Sequence, residues 1–164
     1  LAGRPAWASS CTPSALALAN ASGQHDYSEC ASKSAGYWKQ LRGWPADLSP
    51  DHQFHWYFPG ERFFNPMEGR SLALGEVINL VGTYTSEVKL PGEDMLELSG
   101  GPYANEHNIG LHAVGALVNA HAFPLGSPHG DFGYTPEQIV DIYAKYSVAQ
   151  AAAFFEQINN QFDF

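Results

Sequence analysis

EHNIGLHAVGALVNAHAF, residues Glu106 to Phe123, is the longest nearly uncharged apolar run in the chain and has helical rather than alternating periodicity. At 100° per residue, Asn108, His112, Gly115 and Asn119 fall on one narrow strip, and apolar residues cover almost all the rest. A helix apolar on most sides is a central helix, packed by neighbours on several faces. The run is too short, and too polar at both ends, to span a bilayer. The fold it predicts is mainly α: a compact domain around a buried helix at about 106–122, with aromatic-rich loops, at most one short β-hairpin and one disulfide. Within the polar strip, the side chains either line a small cavity or hydrogen-bond the loops that cross it.

The whole composition agrees. A chain of 164 residues suits one core, and 45% hydrophobic with 13% aromatic residues is enough to fill it. Charged residues are only 15%, against about 25% in ordinary soluble domains. The surface is therefore covered by Ser, Asn, Gln, Gly and aromatics, or partly covered by other chains. With 8 Lys plus Arg against 17 Asp plus Glu, and no basic cluster, nucleic acid is excluded as a partner.

Three segments flank the central run, with expected boundaries at 1–36, 37–147 and 148–164. In the first, Cys11 and Cys30 are nineteen positions apart and are expected to close one disulfide, worth about 3 kcal/mol in a loop-entropy account. Two free thiols are the alternative. Thr12-Pro13-Ser14 starts a short helix over Ala15–Ala21, and Asn20-Ala21-Ser22 is a formal glycosylation sequon. A start at Leu1 rather than Met fits a processed exported protein.

The second segment holds nine aromatics between Tyr37 and Phe64, interrupted by Pro45, Pro50, Pro59 and Gly60. It reads as short turns whose rings press onto the central helix, or as a row of exposed Trp and Tyr that stack on sugars, with Trp44, Trp56 and Tyr57 as the candidates. A helix is predicted over Ser71–Gly82 and a strand over Thr83–Leu90. Thr135-Pro136-Glu137-Gln138 is a capped helix start.

Past Ser147 the apolar stripe of Val148, Ala152, Phe155, Ile158 and Phe162 is rotated by more than 90° from that of Ile139 and Tyr143. Either the helix breaks near Ser147 or it continues. Either the stripe folds back on the same core or it forms an arm that packs on another subunit.

The order of segments resembles a family of secreted bacterial domains that open with a "C…GYWKNH…WP" pattern. Here the opening is Cys30, Ser34-Ala35-Gly36-Tyr37-Trp38-Lys39 and Gly43-Trp44-Pro45. It is followed by a Leu-rich segment at 71–81, the Gly100-Gly101 turn, Leu111 to Ala120 and a Pro-initiated helix at 134–146. The likeness covers about residues 30–146 and departs at Gln40-Leu41, where the family has Asn-His. It implies a secreted or surface-exposed helical domain and no enzymatic activity.

Chemistry-bearing motifs are sparse. His52 and His55 stand at i,i+3, a spacing that could place two imidazoles on one helical face for a divalent metal, but no third ligand stands at fixed spacing. His121 is expected to meet the carbonyls at its helix end. No nucleophile elbow, phosphate loop, haem motif or Ca-binding loop occurs, so no cofactor and no catalytic residue is expected. The leading functional expectation is an extracellular structural protein, a self-associating surface or filament subunit that uses the stripe beyond Ser147. The alternatives are a module binding cell-surface glycans and a metal-dependent hydrolase using His52 and His55.

Overall fold

The computed structural model describes residues 11–13, 29–83, 88–93, 97–99 and 104–163. The elements in chain order are α1 (Ala35–Trp38), β1 (Phe64–Asn65), β2 (Arg70–Ser71), α2 (Leu74–Ile78), α3 (Ile109–Ala122), α4 (Pro136–Lys145) and α5 (Val148–Asn160), with 3-10 turns at Phe54–Trp56 and Glu106–Asn108. The fold is mainly helical, and its only sheet among the described residues is the antiparallel β1–β2 hairpin.

The central run forms α3, which starts later than the expected 106 because His107 and Asn108 are left-handed (φ 53° and 57°), and every residue from Ala113 to Ala120 is buried. Its first turn has no conventional cap. Asn105, fully buried, substitutes for one: its Oδ1 accepts the Gly110 N–H at 3.0 Å, and its Nδ2 donates to the Gly82 carbonyl at 2.9 Å. Small residues on α3 set how closely its neighbours approach. Gly110 lies against Val77 and Phe63, and Gly115 lies against Ala35 of α1 and Asn159 of α5.

Helix α4 starts as its sequence dictates, with Gln138 N–H donating to Thr135 Oγ1 at 3.2 Å and Thr135 N–H to Gln138 Oε1 at 3.0 Å. The chain does break at Ser147. Tyr146 and Ser147 are extended, and Ser147 with Gln150 forms a second capping box that starts α5. The break explains the rotated stripe, because α5 turns back and makes the most extensive packing of any element on α3.

The expected subunit-facing arm is therefore corrected. Ala152, Phe155 and Ile158 lie in the same core as Leu117, and Val148 packs against it half-buried. Phe162 is buried beside Cys11 and Cys30. The stripe looked surplus because the strip of α3 that receives it is marked by Gly115 and Asn119, small and polar residues that sequence alone does not identify as a docking seam.

That seam is held by amides. Asn119 Oδ1 accepts from the Lys33 N–H at 2.8 Å and from Trp38 Nε1 at 3.1 Å, while its Nδ2 donates to the Lys33 carbonyl at 2.8 Å and to Asn159 Oδ1 at 2.9 Å. Asn159 Nδ2 in turn donates to the His112 carbonyl at 3.1 Å. The polar strip binds the crossing segments and is not the lining of a cavity.

The Cys11–Cys30 disulfide is formed. It fixes the residues around Cys11 to a strap, 29–34, which is bound elsewhere: Ala31 N–H to the Asp131 carbonyl, Phe162 N–H to Ser32 Oγ, and Ser34 N–H to Asp163 Oδ2. The predicted helix over Ser71–Gly82 is shorter than expected and begins at Leu74. Residues 71–73 are drawn extended because Leu72 N–H bonds to the Phe63 carbonyl and Leu74 N–H to the His52 carbonyl. Of the strand expected at Thr83–Leu90, an isolated bridge joins Val81 to Lys89, and residues 84–87 lie outside the described residues, as do the Ala15–Ala21 helix and the Asn20 sequon.

His112 supplies a pH signature of the α3–α5 seam. Its Nδ1 is buried with no hydrogen-bond partner, its Nε2 is 3.9 Å from Glu156 Oε2, and burial holds its pKa below the usual imidazole value despite that carboxylate. The folded protein thus resists a proton that the unfolded chain accepts. The stabilising contribution is present above about pH 6.5 and is lost as the pH falls through the lowered folded value. His112→Gln is expected to flatten the fall of melting temperature between about pH 6.5 and 5 relative to the parent. Parallel pH slopes for the two proteins would contradict this.

Candidate functional site

The segment 49–58 is folded so that alternate rings face opposite ways. His52 N–H closes a turn on the Ser49 carbonyl, Gln53 bridges to Ala73, and the 3-10 turn Phe54–Trp56 follows. Phe54 and Phe58 both point into the core and stack at 4.5 Å, with Phe63 edge-on to Phe54 at 4.9 Å. With those two anchored inward, Trp56 between them is turned outward and is 62% exposed.

Behind Trp56 runs a row of rings. The His52 ring lies 5.2 Å from that of Trp56, the Tyr57 ring stacks on His52 at 6.0 Å, and the His121 ring meets Tyr57 edge-on at 6.2 Å. The row is locked by hydrogen bonds. The Tyr57 hydroxyl is 2.7 Å from His52 Nδ1, which the Ser49 N–H also approaches at 3.4 Å. Burial, aided by the charge of Asp47, raises the Tyr57 pKa, so the phenol stays protonated and donates. The Ser49 N–H and the Tyr57 hydroxyl thus converge on the same ring nitrogen. At the far end His121 Nδ1 is 3.0 Å from Asp47 Oδ2, whose side chain is 71% exposed.

The sequence candidates are sorted by this geometry. Trp44 is half-buried and spends its Nε1 on the Trp38 carbonyl at 3.0 Å, so it is part of the packing and not a free platform. Tyr57 is half-buried in the row, and Trp56 alone of the three presents an open face. His52 and His55 do not converge on a metal, which corrects the i,i+3 expectation. His52 precedes the 3-10 turn, Gln53 is extended, and the His55 ring turns away to stack on Phe64, with Nε2 2.9 Å from the Arg62 carbonyl. Among the described residues no group of three or more His, Cys, Asp or Glu could hold a metal ion.

The contribution of Asp47 and His121 was not legible in the sequence. They are 74 positions apart, and His121 was expected to meet helix-end carbonyls. Its Nε2 is buried and unpartnered, so the Asp–His pair has no nitrogen open to a substrate in this conformation. What the surface offers instead is a rigidly backed indole face beside a row of rings that ends in an exposed carboxylate. Comparison with protein-family models, with curated proteins and with solved structures returns no match for this chain.

Proposed function

We propose that this protein is a non-catalytic extracellular module that binds carbohydrate through Trp56. The observation that carries the reading is the indole face: 62% exposed on a turn whose neighbouring rings are anchored in the core, it is held open at little further entropic cost. Such a face takes the C–H side of a pyranose ring, and the Asp47 carboxylate is an acceptor for sugar hydroxyls. With a net charge of −9 the chain disfavours acidic polysaccharides, so the ligand is a neutral glycan. A disulfide supports an oxidising compartment, and no helix among the described residues is long and apolar enough to cross a membrane. The resemblance of the Cys30 to Pro45 opening to secreted bacterial domains supports the same location. The reading as a self-associating filament subunit is not favoured, because the stripe it needed is occupied by the protein's own core.

Glycan-array binding followed by calorimetry tests the proposal. Trp56→Ala should lower affinity by about tenfold or more, as loss of a ring stack worth about 1–2 kcal/mol predicts, and leave the melting temperature unchanged. Binding that survives the substitution, or a parent protein that retains no glycan, would reject it.

A further inference from the structure

The aromatic row ends in a carboxylate that is fixed at both its backbone and its side chain. Asp47 stands in a turn closed by the Leu48 N–H on the Pro45 carbonyl at 3.1 Å, and the buried Leu48 side chain anchors that turn. The Asp47 side chain is 71% exposed, yet its Oδ2 lies 3.0 Å from His121 Nδ1. An ionised carboxylate only accepts, so Nδ1 carries the proton and donates. An exposed aspartate without such a partner gives up rotamer freedom when it binds; this one has already lost it.

The donor is built into the core helix. His121 belongs to the last turn of α3, its side chain is only 14% exposed, and its ring meets that of Tyr57 edge-on. Tyr57 is itself tied through its hydroxyl to His52 Nδ1 at 2.7 Å. His121 Nε2 is buried with no partner. Leaving that nitrogen unsatisfied costs stability, and the one hydrogen bond the ring makes in return holds an exposed carboxylate. Asp47 Oδ1 takes no hydrogen bond from any described residue, which leaves it for a ligand donor.

We infer that Asp47 is the specificity-determining residue of the glycan site and His121 its positioning residue, which rests on the reading of Trp56 as the sugar platform. Specificity is a difference between two affinities. Oδ1 accepts from a hydroxyl of a neutral sugar, whereas a uronate brings a second carboxylate that has no proton to give and is repelled. A glycan array that pairs neutral xylo-, manno- and gluco-oligosaccharides with their uronate-bearing counterparts, followed by calorimetry on the tightest pair, measures the ratio. The parent should prefer the neutral member by about tenfold or more, and Asp47→Asn should narrow this to about threefold or less at unchanged melting temperature. His121→Leu should narrow it too. His121→Asn, whose amide nitrogen stands on Cγ as Nδ1 does, should restore it in part, which a merely structural histidine would not do. No Trp56-dependent binding to any neutral member would overturn the Trp56 reading and this inference with it. Trp56-dependent binding without a preference for the neutral member, or with a preference unmoved by either Asp47→Asn or His121→Leu, would overturn this inference alone.

Discussion

Asn119→Leu is expected to cost about 4 kcal/mol of stability, a fall of roughly 8 to 16 °C in melting temperature for a domain of this size. The side chain is fully buried and all four of its hydrogen-bonding positions are used. Leucine keeps the Cγ branch and the heavy-atom count of asparagine, so no cavity opens. The loss comes from the partners left behind. Trp38 Nε1 and Asn159 Oδ1 are in buried bonds, and each orphaned group costs about 1–3 kcal/mol. The Lys33 amide and carbonyl are only part-buried, so water recovers some of their share. Because Asn119 and Asn159 bond each other, Asn119→Leu with Asn159→Leu should cost less than the sum of the two single changes. Chemical denaturation of the three variants measures this. Additive losses, or a single loss below about 1 kcal/mol, would mean that the amide network does not hold the seam.

Gly115→Val is the second large effect, expected at about 3–4 kcal/mol. A Cβ at this position would stand 2.7 Å from the Ala35 Cβ and 3.0 Å from its Cα. Ala35 has no rotamer to turn aside, so α1 itself must move, and with it Trp38 and its bond to Asn119. Gly115→Ala tests the same contact with opposed contributions. Helix propensity favours Ala by about 1 kcal/mol, while overpacking costs about 1–3 kcal/mol. A net loss is expected, relieved when Ala35→Gly is added. If Gly115→Ala stabilises the protein, the close crossing of α1 over α3 is wrong.

Much of the architecture could be read without coordinates, for identifiable reasons. The central helix was visible because its apolar residues leave only a narrow polar strip, and α4 because Thr135, Pro136 and Gln138 supply its whole N-terminal hydrogen-bonding scheme locally. The disulfide followed from two cysteines at a plausible spacing. The Ser71 helix was overextended because the pull of the Phe63 and His52 carbonyls on residues 71–74 is non-local. The site was half legible: Trp56 was one of three candidate platforms, but only the inward anchoring of Phe54 and Phe58 tells it from Trp44. Asp47 and His121 meet across 74 positions, and no pattern in the chain announces it.

The sequence by itself determined that this protein is a mainly helical domain built on residues 106–122 and punctuated by strong helix caps, with a disulfide favoured over two free thiols and formed in the fold. Periodicity, capping chemistry and turn residues act over a few positions, so they are visible in the chain directly. Only the tertiary structure decided where the last helix goes and which ring faces water. A stripe of Phe155 and Ile158 has the same periodicity whether it meets a neighbouring molecule or its own α3. The choice was made by Gly115 and Asn119, whose small volume and paired amide open a seam that only the folded chain displays.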